Sequence, residues 1–320
     1  MISIENVIPP EARSPGGKPY IVAGMPMYNE EETIGTVVTR ALRHVDEVIC
    51  IDDGSSDSSA RIAEACGAKV IRHRMNRGYG GALKTLFMHA SKMDVDALVL
   101  FDSDGQHETN DIPAMLAPIL SGEADFTIGS RFVDGGGGTD MPAYRRLGIK
   151  VITAASNLTS DLDIKDTQSG FRAFSRTALD RLRFDAEGME LSLEMLEDAH
   201  DKQLTVLEIP TIIRYDVPKG SKFTAVSHGF TVMTWALLSL SQKKPLLVLG
   251  IPGFGLLATG AAMGMQTAQD FSLQVDSIIG SGISAVWIGL LGLSLMATGL
   301  VLQSAQRFLK LLLVHEFGLD

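Results

Sequence analysis

The sequence predicts an α/β domain with a mostly parallel sheet and helices on both faces, followed by an amphipathic helix and two transmembrane helices. Two observations support this fold class. Short apolar segments alternate with helix-like segments through the N-terminal two thirds, and the C-terminal quarter contains two long uncharged runs. Alternating strands and helices pack as a parallel sheet between two helix layers. Ligands of such sheets bind beyond the carboxyl ends of the strands, where the polar motifs of this chain fall.

The predicted strands and helices follow one another in regular order. Strand-like segments occupy residues 20–23, 48–51, 69–71, 98–101 and 125–128. Helix-like segments lie near 31–43, 58–66, 79–92 and 111–121. Residues 1–18 are rich in Pro and Gly and are predicted to form a flexible tail, so we expect the α/β domain to cover residues 19–215.

Paired carboxylates follow the fourth predicted strand, in the motif Asp102-Ser103-Asp104-Gly105-Gln106-His107. Once the chain turns, two acids one residue apart can converge on a single hard divalent cation, which prefers oxygen ligands and commonly retains substrate phosphates. An acidic turn without a ligand is the alternative. A second acidic turn, residues 52–57, also follows an apolar strand and favours a nucleotide-sugar site.

Five motifs in this chain resemble the ordered motifs of family 2 glycosyltransferases. They are Pro26-Met27-Tyr28-Asn29-Glu30, Asp52-Asp53-Gly54-Ser55, Asp102-Ser103-Asp104-Gly105-Gln106, Gly129-Ser130-Arg131-Phe132 and Gln168-Ser169-Gly170-Phe171-Arg172. The resemblance is greatest to the dolichol-phosphate mannosyltransferase and polyprenyl-phosphate glycosyltransferase branch, over residues 19 to 222. It implies a GT-A-like fold and inverting transfer of mannose or glucose from GDP-mannose or UDP-glucose to dolichyl or polyprenyl phosphate. The product would be a lipid-linked sugar donor for glycosylation.

The resemblance assigns the nucleotide sugar to the turns after the first strands. Pro26 and Tyr28 would form a wall for the base or ribose, and Glu30 either extends that wall or caps the following helix. Asp53 resembles the family's base- or ribose-binding carboxylate. The glycine-rich turn that begins at Arg77 carries backbone N–H groups suited to a phosphate or ribose.

The same resemblance implies a Mg²⁺ or Mn²⁺ ion held by Asp102, Asp104 and Gln106. Asp104 is the safer ligand, because Asp102 has the alternative of reaching the ribose. The ion would neutralise the diphosphate and stabilise the nucleoside diphosphate as it leaves.

Cations scattered through the acidic domain are candidates for binding the lipid phosphate: Arg131, Arg145, Arg146, Arg172, Arg214, Lys219 and Lys222. Guanidinium groups match phosphate geometry, and Arg131 and Arg214 are the preferred pair. Residues 214–222, with Lys222, resemble the family's mobile acceptor loop, and Gly135 to Gly138 are predicted to be a lid hinge. A solvated basic face toward anionic lipid is the alternative.

Asp166, just ahead of the last motif, is a candidate catalytic residue together with Asp104 and Arg131. In relatives an acid at this position approaches the acceptor. A polyprenyl phosphate is already anionic near neutral pH, so Asp166 has the alternative role of orienting neighbouring groups or satisfying buried backbone.

Two uncharged runs, about 245–265 and 278–302, are long enough to cross a bilayer of roughly 30 Å, so residues 244–320 are predicted to be a membrane domain. Lys243, Lys244, Arg307 and Lys310 flank these spans, whereas the connecting segment has no Lys or Arg. The positive-inside rule then places the catalytic domain of this integral membrane protein in the cytoplasm. Residues 216–243 would form the acceptor loop and an interfacial amphipathic helix, which has the alternative of packing on the catalytic domain.

A formal net charge of −10 excludes a nucleic-acid partner, and two cysteines exclude a disulfide framework. The expected partners are the nucleotide sugar, the lipid phosphate and the bilayer, and the sequence also allows a homo-oligomer. A processive polysaccharide synthase is the competing enzyme, but neither Trp235 nor Trp287 completes its Gln-x-x-Arg-Trp motif. A catalytically silent scaffold or sugar-nucleotide sensor is the other alternative.

Overall fold

A computed structural model describes residues 17–139, 141–160, 163–186, 188, 191–214, 240–241, 244–270 and 275–317. The chain divides into two compact units, Met1–Ala236 and Leu237–Asp320. The predicted acceptor loop with Lys219 and Lys222, and most of the predicted amphipathic helix, lie outside the described residues, as does most of the predicted N-terminal tail.

The first unit is built on a seven-stranded sheet with the strand order β3-β2-β1-β4-β7-β5-β8. Its strands are β1 Ile21–Met27, β2 Glu47–Asp52, β3 Lys69–Arg72, β4 Ala97–Leu100, β5 Phe126–Ser130, β7 Arg172–Ser175 and β8 Val206–Pro210. Only β7 runs antiparallel to its neighbours, β4 and β5. The mostly parallel sheet predicted from the sequence is confirmed.

Helices cover both faces of this sheet, as predicted. They are α1 Ile34–Ala41, α2 Ser59–Ala65, α3 Gly78–Ala90, α4 Ile112–Leu120, α5 Ala143–Ser160, α6 Arg176–Arg181 and α7 Leu191–Asp201, with a 3-10 turn at Thr109–Asp111. Side chains alternate along each strand, so Met25 belongs to the apolar cluster that includes residues of α1, α2 and α4. Val22, on the other face of β1, belongs to the cluster that includes residues of α3, α6 and α7. The central strands β1 and β4 are therefore buried on both sides, and their sequences are nearly continuous hydrophobic runs.

A second, two-stranded sheet joins β6 Gly137–Thr139 in parallel to β9 Ile212–Arg214. The predicted hinge glycines thus lie in or beside a short strand, and Gly136 donates its N–H to Val133 O at 2.9 Å. An isolated bridge pairs Ile213 with His107, so this small sheet reaches the acidic motif after β4.

The second unit contains a π-helical turn at Leu246–Gly250, α8 Ile251–Asp270 and α9 Val275–Phe317. The segments Leu246–Gln269 and Gly280–Gln306 are long and apolar enough to cross a membrane. Small residues let α8 and α9 approach closely, since a Cβ at Gly260 would lie 2.6 Å from Gly289 N.

Candidate functional site

A cavity of about 580 Å³ opens at the carboxyl ends of β1, β2 and β4. Eight of the predicted site residues line it together: Pro26, Tyr28, Glu30, Asp53, Asp102, Asp104, Gln106 and Arg131. These residues come from four separate motifs, spread over more than a hundred positions of sequence. Parallel strands bring them together because their carboxyl ends share one edge of the sheet.

Asp53 follows β2 and is held rigidly at the cavity wall. Its Oδ1 accepts hydrogen bonds from Arg77 N at 2.8 Å and His73 Nδ1 at 2.7 Å, and its Oδ2 accepts one from Gly78 N at 2.8 Å. Gly78 has a φ of +78°, a conformation in which glycine is favoured, and this turn aims its N–H at the carboxylate. The N–H groups of Arg77 and Gly78 thus donate to Asp53, whereas the predicted approach of this turn to a phosphate or ribose stays a prediction.

Asp102 lies close enough to Asp104 to raise the proton affinity of the Asp104 carboxylate. Burial, followed by the negative charge of Asp102, raises the pKa of Asp104 from 3.8 to about 6. His107 partly offsets this rise in the pKa of Asp104. Its Nε2 lies 3.6 Å from Asp102 Oδ2, and its ring packs on Phe171. Gln106 donates its backbone N–H to Asp104 Oδ1 at 2.9 Å, which fixes the turn between these two predicted ligands.

Two residues that the sequence analysis did not assign to the site lie against Asp102. The Tyr79 hydroxyl forms a hydrogen bond with the Asp102 carboxylate, and burial together with that charge raises the pKa of Tyr79 well above its usual value. Gly170 is close from the other side, since a Cβ there would lie 2.9 Å from Asp102 Oδ2. No sequence pattern predicts either contact, because Tyr79 and Gly170 are both distant from Asp102 in the sequence.

The donor set of the acidic motif suits a hard divalent cation. Within the part of the chain that the structure describes, no group of three or more His, Cys, Asp or Glu side chains is placed to hold a metal ion. Asp102 and Asp104 supply two carboxylates whose mutual repulsion a cation would relieve. Mg²⁺ in phosphate-transfer sites typically uses one or two carboxylates and takes its other ligands from water and substrate phosphates, so the residues present fit such an ion.

Arg131 and Asp166 form a buried bidentate ion pair beside the cavity. Arg131 Nε and Nη2 each donate to the Asp166 carboxylate at 2.6 Å, and Arg131 N donates to Oδ2 at 3.0 Å. Asp166 is fully buried, whereas Arg131 lines the cavity. This geometry favours the orienting role of Asp166, because it fixes the side chain of a residue that lines the cavity.

Arg172, one of the scattered cations, is fully buried and has a structural role. Its guanidinium donates to Thr167 O at 3.0 Å, Ser169 O at 2.9 Å and Ser192 O at 3.1 Å. These bonds fix the segment 167–170, which forms part of the cavity wall, against α7. Arg172 therefore does not belong with the candidate phosphate-binding cations.

The structure describes the other predicted cations only in part. Arg214 lies in β9 and donates its backbone N–H to Gln106 O at 2.9 Å, so its backbone is beside the acidic motif. Arg146 is exposed on α5. Lys222 belongs to the segment that the structure leaves undescribed.

Comparisons with known proteins identify the family. Residues 23–183 match the family described as glycosyl transferase family 2. A UDP-N-acetylglucosamine–dolichyl-phosphate N-acetylglucosaminyltransferase of Methanococcus voltae is 31% identical over 69% of this chain and 96% of its own length. A dolichol-phosphate mannosyltransferase of Pyrococcus furiosus is 30% identical over 66% of this chain and 63% of its own length.

A solved structure shares the fold of the first unit. Glucosyl-3-phosphoglycerate synthase of Mycobacterium tuberculosis, crystallised with Mn²⁺ and UDP-glucose, has a TM-score of 0.55 at 23% identity, over 70% of this chain and 79% of its own. The ordered motifs, the GT-A-like sheet and the match over half the chain agree. The protein belongs to glycosyltransferase family 2 and is a glycosyltransferase.

Proposed function

We propose that this protein transfers a hexose, with inversion, from a nucleotide diphosphate sugar to dolichyl or polyprenyl phosphate. The observation that carries the proposal is the shared cavity, in which the paired acids Asp102 and Asp104 lie with both Asp53 and Arg131. Such a cavity combines a place for a nucleoside, a place for a metal-bound diphosphate and a guanidinium for a second phosphate.

The donor would bind along the carboxyl ends of β1, β2 and β4. Pro26 and Tyr28 supply a wall for the base or ribose, with Glu30 beside them, and Asp53 supplies a hydrogen-bond acceptor. Asp102, Asp104 and Gln106 would hold Mg²⁺ or Mn²⁺ at the diphosphate. When bound, this cation supplies charge neutralisation for the leaving nucleoside diphosphate.

The acceptor would approach through Arg131, with Arg214 and Lys222 as further phosphate-binding cations. A phosphate oxygen of the lipid attacks the anomeric carbon, forming a new C–O bond as the bond from that carbon to the diphosphate oxygen breaks. Because the attacking phosphate is already anionic, no proton has to be removed, and Asp166 acts by orienting Arg131.

The relatives support this substrate class by their names, which mention dolichyl phosphate, polyprenol and undecaprenyl phosphate. They differ in the sugar that they name. We propose GDP-mannose or UDP-glucose as the donor, and the N-acetylglucosaminyltransferase from Methanococcus voltae makes UDP-N-acetylglucosamine a necessary comparison.

The test is a transfer assay on the full chain in detergent with labelled GDP-mannose, UDP-glucose and UDP-N-acetylglucosamine and with dolichyl phosphate. We expect one hexose donor to give a lipid-linked monosaccharide, and we expect a chelator to abolish the product. A polymer would instead indicate a processive synthase, and binding without transfer would indicate a sugar-nucleotide sensor. Transfer of N-acetylglucosamine alone would support the proposed reaction and show that the proposed donor sugar is wrong.

The acceptor residues can be tested separately with charge-preserving changes. Arg131→Lys and Arg214→Lys should each raise the KM for the lipid phosphate roughly tenfold with donor affinity nearly unchanged, because lysine cannot reproduce the guanidinium fork. Arg61→Lys, on the exposed side of α2, is the matched control. Loss of donor affinity with normal acceptor use would assign these arginines to the diphosphate instead.

A further inference from the structure

We propose that His73 is a positioning residue for the donor nucleotide, acting through a buried hydrogen-bond relay from Asp53 through His73 to Thr85. The inference rests on the proposed function, since it assumes that Asp53 contacts the nucleotide. It assigns a role to a histidine that stands in none of the motifs identified in the sequence.

The relay is defined by two short contacts on either side of one imidazole ring. His73 Nδ1 lies 2.7 Å from Asp53 Oδ1, and His73 Nε2 lies 2.9 Å from Thr85 Oγ1. The side chains of His73 and Asp53 are only 7% and 6% exposed. Thr85 Oγ1 is in turn 3.1 Å from Gly81 O, so the relay ends on the backbone of α3.

Hydrogen-bond roles determine how the ring is oriented. An ionised carboxylate only accepts, so the hydrogen between His73 and Asp53 belongs to Nδ1. Nε2 then meets the Thr85 hydroxyl, whose single hydrogen has two possible acceptors. If the hydroxyl donates to Gly81 O, Nε2 carries a hydrogen and donates it to Thr85 Oγ1; if the hydroxyl donates to Nε2, the contact with Gly81 O is not a hydrogen bond. Because both ring nitrogens have partners, the imidazole is held against rotation and presents Nδ1 to Asp53.

The relay complements the two backbone contacts that Asp53 receives. Arg77 N and Gly78 N approach the carboxylate from the start of α3, whereas His73 approaches it from the end of β3. Asp53 lines the cavity and His73 does not. His73 therefore affects the cavity through the direction in which it holds Asp53, and without the imidazole the carboxylate would keep two of these three donors.

The side chain can be changed without breaking the strand that carries it. The backbone of His73 donates to Asp52 O at 2.8 Å, and β3 pairs with β2 through its own backbone. This backbone pairing does not need an imidazole. An effect on nucleotide binding can therefore be separated from an effect on the fold.

The experiment measures binding of GDP and of UDP to the full chain in detergent with Mn²⁺, by isothermal titration. His73→Ala should raise the Kd of the bound nucleotide about tenfold, because a hydrogen bond to a charged group is lost. His73→Asn should restore most of the affinity, since its amide can donate from near the Nδ1 position. Thr85→Val, which removes only the far end of the relay, should raise the Kd about threefold by loosening the ring.

Two further readouts separate positioning from general damage. His73→Ala should raise the KM for the donor while kcat at saturating donor and the KM for the lipid phosphate stay near wild type. In an Asp53→Ala background the additional His73→Ala change should have no further effect on the Kd. His89→Ala is the control, because His89 lies in α3 but outside the cavity lining.

The outcomes separate this inference from the proposed function. If the wild-type chain binds neither GDP nor UDP, both the role of His73 and the proposed function are overturned. If it binds one of them and His73→Ala binds it equally well, only the role of His73 is overturned. If His73→Ala does not fold, Thr85→Val decides, and a wild-type Kd in that variant overturns the relay.

Discussion

At the scale of single residues, the site contains a carboxylate, Asp104, whose charged form opposes folding. Asp104 has a pKa raised from 3.8 to about 6, chiefly by burial and then by the charge of Asp102. The folded protein therefore binds this proton more tightly than the unfolded chain does. The stabilising contribution of the protonated group is present below about pH 4 and is lost as the pH rises through about 6.

Asp104→Asn should consequently stabilise the metal-free protein at neutral pH while abolishing transfer. The expected gain at pH 7.5 is roughly 1–3 kcal/mol, with about 1.4 kcal/mol per pKa unit as the basis. Thermal unfolding with chelator present should show the gain at pH 7.5 and its disappearance near pH 4. Asp94→Asn, at an exposed position, is the control. An equal effect at both pH values would contradict this electrostatic origin.

Gly170 is a second residue whose importance comes from a close approach. A Cβ there would lie 2.9 Å from Asp102 Oδ2, so Gly170→Ala should displace the carboxylate. We expect transfer to fall at least about tenfold, because the change would misplace a proposed metal ligand in a preorganised site. Gly148→Ala, where a Cβ meets nothing within 4 Å, should keep full activity. Steady-state rates of the two variants test this prediction. Normal activity of Gly170→Ala would show that the close approach to Asp102 is not needed for transfer.

At the scale of elements, β7 links the sheet to the site. Arg172 begins this antiparallel strand, and its guanidinium bonds to the carbonyls of Thr167, Ser169 and Ser192. Burial lowers the pKa of Arg172 to about 10, which leaves the group charged at neutral pH. One side chain thus satisfies backbone groups of the cavity wall and of α7.

Arg172→Met should keep much of the side-chain volume but leave those carbonyls without their donor. We expect a loss of roughly 3 kcal/mol or more in the free energy of unfolding, because buried acceptors would remain unsatisfied. Denaturant unfolding of the full chain would measure it. Arg61→Met on α2, where the side chain is exposed, should change stability by no more than about 0.5 kcal/mol. Similar stabilities for the two variants would refute the structural role.

At the scale of the whole molecule, a catalytic unit is joined to a unit with two helices long and apolar enough to cross a membrane. This combination suits a lipid-phosphate acceptor, whose head group lies at the membrane surface. The lysines and arginines flanking the two spans favour a cytoplasmic catalytic unit, since basic residues are retained on that side.

Labelling with a membrane-impermeant maleimide in whole cells tests this topology. Ser272→Cys, in the segment between the spans, should react from outside, because that segment has no Lys or Arg. Lys310→Cys should react only after permeabilisation and is the matched control for the other side. The reverse pattern would place the catalytic unit outside the cell membrane.

The predictions from sequence were most successful where a signal repeats locally. Alternating apolar segments indicated β1 to β5 and the first four helices, and each acidic motif was expected at a strand end. The short strands β6, β7, β8 and β9 were not predicted. Gly137, Arg172 and Glu208 lie in three of these strands and leave them little apolar pattern of their own, and the pairing of all four depends on contacts with distant strands.

The sequence by itself determined the family, the parallel sheet and the acids of the site, because these depend on local pattern and on the order of motifs. Only the tertiary structure decided which groups support those acids. Tyr79 and Gly170 reach Asp102, and His73 reaches Asp53, across long separations in sequence. Such contacts form where distant chain segments meet at the edge of the sheet, so the spacing of residues in the sequence does not predict them.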